Sequence, residues 1–361
     1  MITIAVLVDL PSNQSPGAPA DYPLGIAAGE LAGRMRLLFT DCEGFHDDGT
    51  ITGWEVVDGT WRRRRDRCRA CYSRVNWKKH QVRYARVRRL LSRHGITLVN
   101  HPAFCVFARD KLRSMRTLRE AGLTVPETAG EPAAFFRLAE EWGISYLKPR
   151  IGSCGRGVVR IRTGDEWFYE DGLDCPRQRS PASVRRLMKK IAIMEPMVLQ
   201  RGIDGPCETA ERYCLRVLMQ RGWGGDWRNV LPVARVISQG PAGNVALGAD
   251  VVPAYAYLER LYGAAARKVL EAAGTLAMTT MAAIDAVMGN HAPEVVEAGL
   301  DIIADGTGRP WLIEINDTPQ GRLKSVAEAS GSALIQTAYR TALLNPFEYL
   351  AWRLVDEGGG S

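Results

Sequence analysis

The chain has 361 residues, which is too many for one small core and enough for two or three domains. Hydrophobic residues at 46% and charged residues at 24% give the balance of an ordinary globular protein, and no run of about eighteen apolar residues is present to cross a membrane. The formal net charge of +7 is uneven: fourteen Lys or Arg lie between Trp61 and Arg93 beside a single acid, Asp66, which leaves the remainder mildly acidic.

Residues 1–104 read as an open α/β unit. Met1 to Asp9 has no basic leader or small-residue cleavage site and reads as a first strand. A Pro/Gly/Ser-rich loop from Pro11 to Pro23 precedes a helix over Leu24–Arg34 and a strand over Arg36–Thr40. A hairpin is expected from Ile51 to Trp61 around Asp58-Gly59. The basic block then suits a helix over Lys78–Leu91, with Val82, Ala85, Leu90 and Leu91 as its apolar stripe. Ile96–Val99 closes the unit as a short buried strand. Strands alternating with helices imply a largely parallel sheet. The interleaved Trp61, Tyr72, Trp77 and Tyr84 admit an RNA surface. A solvated basic face is the plainer reading, and an acidic peptide docked on Arg62–Arg93 is the other, with nucleic acid not expected. Eight cysteines are scattered, with only Cys68 and Cys71 in a C-x-x-C spacing. Reduced thiols in a cytoplasm account for them more simply than zinc does.

A second unit runs over residues 105–198. Asp110 is placed to N-cap a helix that Gly122 stops, and Pro132–Trp142 is a further helix. Ser145–Pro149 is a strand that enters a glycine loop, and a helix covers Pro181–Ile191. The third unit, residues 199–352, follows the strand Val198–Gln200. It holds strands over Tyr213–Met219 and Asn229–Ser238, a long helix over Tyr257–Val287 and a last helix over Val326–Leu344. Residues 353–361 read as a disordered tail.

Two constellations carry chemistry. In Lys148-Pro149-Arg150-Ile151-Gly152-Ser153-Cys154-Gly155-Arg156-Gly157, three glycines let backbone N–H groups approach an anion while lysine adds a point charge. The lysine precedes the glycines, so this is no P-loop, and no helix follows to make a dinucleotide site. Further on, Gly299–Ile303 and Trp311–Asn316 flank the turn Asp305-Gly306-Thr307-Gly308. Strand period two sends Asp301, Glu314 and Asn316 to one face, with Leu300, Ile302, Ile313 and Ile315 on the other. Two carboxylates and an amide oxygen in apolar surroundings suit magnesium.

The phrases Val99-Asn100-His101-Pro102, Tyr146-Leu147-Lys148-Pro149, Leu199-Gln200-Arg201-Gly202-Ile203 and Glu297-Ala298-Gly299-Leu300-Asp301, in this order, resemble the ATP-grasp superfamily. Within it the chain looks most like the endospore-coat-associated YheC/YheD branch, with RimK-type ligases further off. The resemblance implies an N-terminal α/β domain followed by two α+β subdomains that grip ATP. It assigns Lys111 and Lys148 to ATP, and Gly152, Ser153, Gly155 and Gly157 to a mobile loop over the phosphates. It also makes Gln200, Gly202 and Ile203 an adenine-reading hinge, with the Gln200 carbonyl and the Gly202 N–H as the readers. Asp301, Glu314 and Asn316 become ligands of two magnesium ions, and Arg216, Arg235 and Asn244 neighbours of the transferred phosphoryl group. The implied reaction joins a carboxylate to the amine of an amino acid or peptide through an acyl phosphate, and a homodimer is admitted. A nucleotide-binding spore-coat protein without ligase activity is the alternative. Two departures from the pattern are Cys214, where an acid usually stands, and Ala242 in place of an arginine.

Overall fold

The computed structural model describes residues 1–10, 15–19, 22–75, 80–152, 155–172, 176–206, 212–237, 240–241, 250–319, 323–329 and 332–356. The first unit comprises β1 (Ile2–Leu7), α1 (Pro23–Leu31), β2 (Met35–Thr40), β3 (Thr50–Val57), β4 (Thr60–Arg67), β5 (Ala70–Ser73), α2 (Gln81–Arg93) and β6 (Thr97–Val99). Its sheet has the order β4-β3-β2-β1-β5-β6, with β2, β1, β5 and β6 parallel and the β3–β4 hairpin antiparallel at one edge. From Ile4 to Leu7 β1 is apolar because both of its faces are covered. Ile4 and Val6 pack toward α1, whereas Ala5 and Leu7 pack toward Val87, Leu90 and Leu91 of α2.

The basic block is only half helical. Trp61 to Arg67 continue the hairpin as an edge strand, because Asp58 and Gly59 both take positive φ (50° and 71°) and so make the tight turn that returns the chain antiparallel. The helix starts at Gln81, and its buried stripe is Val87, Leu90 and Leu91; Val82 is exposed, one turn too early to reach the sheet. Residues 78 and 79, expected in that helix, and residues 357–361 of the tail lie outside the described residues. Cys68 and Cys71 are core thiols beside Cys42, and burial raises both.

The chain continues through α3 (Pro102–Arg109) and α4 (Lys111–Glu120), which bury Phe104, Phe107, Met115 and Leu118 in the core of the third unit, and the second unit holds β7 (Thr128–Ala129), α5 (Pro132–Trp142), β8 (Ile144–Pro149), β9 (Val159–Arg162), β10 (Trp167–Asp171), β11 (Arg177–Arg179), α6 (Pro181–Met194) and β12 (Met197–Arg201). An antiparallel sheet, β11-β10-β9-β8-β12-β7, packs on α5 and α6. The third holds β13 (Arg212–Arg221), β14 (Trp227–Ile237), β15 (Asp250–Pro253), α7 (Ala254–Tyr262), α8 (Ala266–Met288), β16 (Glu297–Ala304), β17 (Pro310–Asn316), α9 (Leu323–Ala329) and α10 (Ala333–Asp356). Its sheet order is β15-β14-β13-β16-β17. The expected long helix is two, broken at Gly263 with φ +53°. The stretch Ala254–Glu294 is apolar and long enough to span a membrane by composition, yet α8 seats Val269, Ala273, Leu276 and Ile284 in the largest core.

Two features bind the units together. The Asn100 side chain, just past β6, donates to the carbonyls of Glu297 (2.8 Å) and Asp317 (2.6 Å), and its Oδ1 accepts from the Val296 N–H (2.8 Å). Helix α10 begins against the third sheet through Ile335, runs on through Pro346, and ends with Phe347, Tyr349, Leu350 and Leu354 in the core of the first sheet. The N-terminal sheet therefore completes its core with the far end of the chain. Phe347→Ala empties a fully buried ring position. Its expected cost is about 3–5 kcal/mol, read as a lower urea midpoint, with earlier hydrogen exchange in β1 and β2.

Candidate active site

The site lies between the second and third sheets. On β13, Tyr213, Leu215 and Val217 bury into the core, so the alternate residues Arg212, Cys214 and Arg216 face the opposite way. On β16 the same alternation puts Leu300 and Ile302 in the core and leaves Asp301 on the cleft side. Asp301 pairs with Glu314 of β17. A register shift next to this pair sets two residues of β17 against one of β16. As a result Leu312 and Ile315 are the core residues of β17, and Ile313 is only half-buried, which departs from the strict alternation expected.

Asp301 sits in a ring of donors. Arg216 meets it with Nε on Oδ1 (2.6 Å) and Nη2 on Oδ2 (3.0 Å), Asn316 Nδ2 donates to Oδ2 (3.2 Å), and Arg235 Nη1 stands 3.8 Å from Oδ1. Burial alone would raise this carboxyl; the two guanidiniums and the hydrogen bonds outweigh it and hold the group below its ordinary range. Lys111 Nζ donates to the Gly152 carbonyl (2.9 Å) and lies 3.2 Å from Glu314 Oε1, so one ammonium joins the glycine loop to β17. Lys148 Nζ donates to Gln200 Oε1 (2.6 Å). Burial pushes Lys148 down to about 8, and the Glu314 carboxylate opposes that shift only in part.

The Gln200 side chain also approaches the Ile313 carbonyl (3.4 Å) and so ties β12 to β17. The sequence reading used only its backbone and missed this contact. Gly202 has a different place from the one expected. Its N–H donates to the Ile144 carbonyl (2.8 Å) and is not available to an adenine; a Cβ there would come within 2.4 Å of Ile144 Cγ2, which explains the glycine. Gly155 and Gly157 have φ of +66° and +69°, conformations that favour glycine, while Ser153 and Asn244 lie outside the described residues.

Asp110 caps α4, accepting from the Arg113 N–H (3.1 Å), and also takes both arms of Arg150 at 2.9 and 2.7 Å. That clamp fixes the root of the glycine loop beside Lys111. The cap was legible in the sequence; its second partner, forty residues away, was not. Across the cleft, Arg212 grips the buried Glu170 of β10 at 2.6 and 3.0 Å, a tie between the two lobes that no spacing announces.

The donor set fits a magnesium-bound polyphosphate. Asp301 and Glu314 bring two negative charges, and Lys111, Lys148, Arg216 and Arg235 bring four positive ones, with none of these side chains more than a quarter exposed. Among the described residues the cations gathered here outnumber the acids, and buried charge of one sign favours an anionic ligand. The oxygens of Asp301, Glu314 and Asn316 are a hard donor set. A second grouping, His101, His291 and Glu294, has the proximity of metal ligands. There, however, His101 Nδ1 accepts the Ala103 N–H (3.1 Å), which leaves the proton on the Nε2 that faces Glu294. The two rings stack at 3.9 Å, so their lone pairs do not converge on one ion.

Two facing α+β lobes, a lysine-rooted glycine loop and paired acids on adjacent strands define an ATP-grasp protein, a fold that binds ATP. The sequence matches the YheC/D-like ATP-grasp family over residues 102–352, and the chain belongs to that family. It is 24% identical over 271 residues to the tetrahydromethanopterin:α-L-glutamate ligase of Methanosarcina acetivorans, covering 73% of this chain and 71% of that one. It is 26% identical over 195 residues to the endospore coat-associated protein YheC of Bacillus subtilis, about half of each chain (51% and 50%). Among solved structures, D-cycloserine synthetase DcsG is similar in fold, with a TM-score of 0.53 and 17% identity, covering 94% of this chain and 99% of that one.

The depressed Lys148 gives the site a pH signature. An ammonium attracts phosphate, and this one is lost as pH rises through about 8. ATP affinity measured by calorimetry is therefore expected to be roughly tenfold weaker at about pH 9 than at about pH 7. Lys148→Ala binds more weakly at neutral pH and loses most of this dependence.

Proposed function

We propose that the protein is an ATP-dependent carboxylate–amine ligase that activates a carboxylate as an acyl phosphate and releases ADP as an amine takes its place. The ATP-grasp ligase family to which the chain belongs supports the reaction class. The observation that carries the proposal is the clustering of Lys111, Lys148, Arg216 and Arg235 around the buried Asp301–Glu314 pair. A structural protein that had lost catalysis would gain nothing from keeping four cations and two acids together. The relative in Methanosarcina is named for joining glutamate, which favours an amino acid or peptide as substrate here.

The residues divide the work. Lys111 and Lys148 hold the phosphate chain, with the loop carrying Gly152, Gly155 and Gly157 over it and the Gln200–Ile203 segment beside the base. Arg216 and Arg235 face the phosphoryl group in transfer, and Asn244 belongs with them by its place in the chain. Asp301, Glu314 and Asn316 are the ligands for magnesium, two ions in this reading, which when bound neutralises phosphate oxygens as charge develops. Glu314 is paired with Lys111 and Asp301 with Arg216. The same cations can turn to phosphate when it enters, which leaves the carboxylates to the metal. Catalysis then rests on positioning and on fixed charge, and no protein nucleophile is needed. The buried thiol of Cys214, held neutral by burial beside Asp301, adds no charge to this site. A cytoplasmic location suits the free thiols and the ATP requirement.

Glu314→Gln is expected to lower ADP formation by about a hundredfold or more while nucleotide binding falls by much less, because a lost charge contact in the transition state costs on the order of 3 kcal/mol. Normal turnover in the purified variant would remove Glu314 from the metal site. A phosphate-release screen of amino-acid pairs distinguishes ligase from structural protein, since only a ligase gives ADP release that depends on an added amine.

A further inference from the structure

Asn100 commits its whole side chain to backbone. Its Nδ2 donates to the carbonyls of Glu297 (2.8 Å) and Asp317 (2.6 Å), and its Oδ1 accepts from the N–H groups of Val296 (2.8 Å) and Glu297 (3.2 Å). A primary amide has two donor hydrogens and two acceptor lone pairs, so its capacity is filled. The two donor bonds reach different strands. Glu297 opens β16, and Asp317 follows the last residue of β17. The β16–β17 ladder runs from Ala304–Pro310 to Gly299–Asn316 and goes no further. The buried Asn100 amide stands just past that rung and closes the end of the ladder from outside the sheet.

The end it closes belongs to the cleft. Asn316 Nδ2 donates to the Gly299 carbonyl (3.2 Å) and to Asp301 Oδ2 (3.2 Å), which leaves Oδ1 as the atom offered to a cation. The chain after Asn316 then folds back over β16. A Cβ on Gly299 would come within 3.0 Å of Pro319 Cβ and 3.1 Å of Arg216 Nη1, so glycine gives both of them room. Arg109 Nη2 holds the Asp317 carboxylate, and Arg74 Nη2 donates to the Pro319 carbonyl (2.7 Å). Arg74, Asn100 and Arg109 all precede the second sheet in the chain, yet they converge on the segment that follows Asn316.

A tie between domains needs only apolar contact, and α10 supplies that through Phe347, Tyr349, Leu350 and Leu354. A saturated amide adds direction, which apolar contact lacks, because each of its bonds fixes one backbone group at one distance and angle. That direction is delivered one residue from Asn316 and, through Pro319, against Arg216. We infer that Asn100 is a positioning residue of the cleft: it holds the Asp317–Pro319 segment so that Asn316 and Arg216 keep the geometry that a metal-bound phosphate requires. The inference rests on the reading of Asp301, Glu314 and Asn316 as metal ligands. Residues behind the ligands of a metal govern its affinity by fixing where those ligands point, and Asn100 does so through backbone alone.

The test uses the full-length protein with ADP and manganese, a paramagnetic divalent ion whose binding is read directly by electron spin resonance. Asn100→Asp keeps the two acceptor bonds and loses both donor bonds, while Asn100→Ala loses all of them. Arg109→Gln loosens Asp317 from its other side and leaves Asn100 in place. Phe347→Ala is the control, since it weakens the first core without touching the Asp317–Pro319 segment. Both Asn100 variants are expected to bind manganese at least about tenfold more weakly, with the affinity for metal-free ADP unchanged. Arg109→Gln is expected to weaken manganese in the same sense. The effect of Asn100→Ala combined with Arg109→Gln is expected to fall short of the sum of the two, because both act through Asp317. Phe347→Ala is expected to lower the urea midpoint and keep the manganese affinity. Wild-type manganese affinity in a folded Asn100 variant or in Arg109→Gln would overturn the inference and leave Asn100 as a tie between domains. So would an equal loss of manganese in Phe347→Ala, which would trace the effect to stability. Absence of manganese binding in the wild-type ADP complex would strike the metal-site reading, and the inference with it.

Discussion

The geometry of the cleft depends on a carboxylate that is buried and kept ionised. Asp301 has no stable place on β16 unless cations surround it, and Arg216 from the adjacent β13 and Arg235 from β14, one strand further on, supply them. Once those guanidiniums are in place, Asn316 has an acceptor, and Glu314, directly across from Asp301, needs a cation of its own. Lys111 reaches it from α4 and at the same time holds the carbonyl of Gly152. One desolvated acid thus draws together β13, β14, β16, β17, α4 and the glycine loop. Among the described residues the arrangement gathers four cations around two acids, and that clustering is the basis for expecting a polyanionic ligand.

A second constraint is mechanical. Specific side chains tie the lobes together, beside the apolar packing of α3 and α4 on the third sheet. Arg212 with Glu170 spans the cleft, Gln200 links β12 to β17, and Arg150 with Asp110 anchors the loop root. The N-terminal sheet is fastened at the other end by Asn100, which satisfies four backbone or side-chain hydrogen bonds with residues near 296 and 317. Arg74 works beside it, paired with the buried Glu297 and bound to the carbonyl of Pro319. The segment just after Asn316 is therefore held by the first domain, which ties the end of β17 to the C-terminal edge of the parallel sheet. In open α/β sheets that edge is where ligands sit.

Helix α10 makes the first domain dependent on the last. A helix that starts in one core and ends in another must be apolar on more than one side, which is why its pattern gives no single clean stripe. This is also why the sequence reading ended it at Leu344, before Pro346. Proline weakens a helix interior in isolation, yet here tertiary packing of Phe347, Tyr349 and Leu350 carries the helix past it.

What the sequence determined by itself was local or periodic. The Asp110 cap and Gly122 stop, the turn at Asp58-Gly59, the alternation on β13 and β16, and the spacing of Lys148 from its glycines all follow from steric and hydrogen-bonding preferences within a few residues. Those signals picked out Asp301, Glu314 and Lys148, whereas Lys111 entered only through the family resemblance. The rest was decided by contacts between residues far apart in the chain. The β17 register shift, which buries Leu312 and Ile315 together, arises from pairing with β16, and the engagement of the Gly202 N–H arises from the neighbouring strand at Ile144. The strand character of Arg62–Arg67 was hidden because a row of arginines has no alternation to read; only the turn before it and the sheet beside it select an extended chain over a helix.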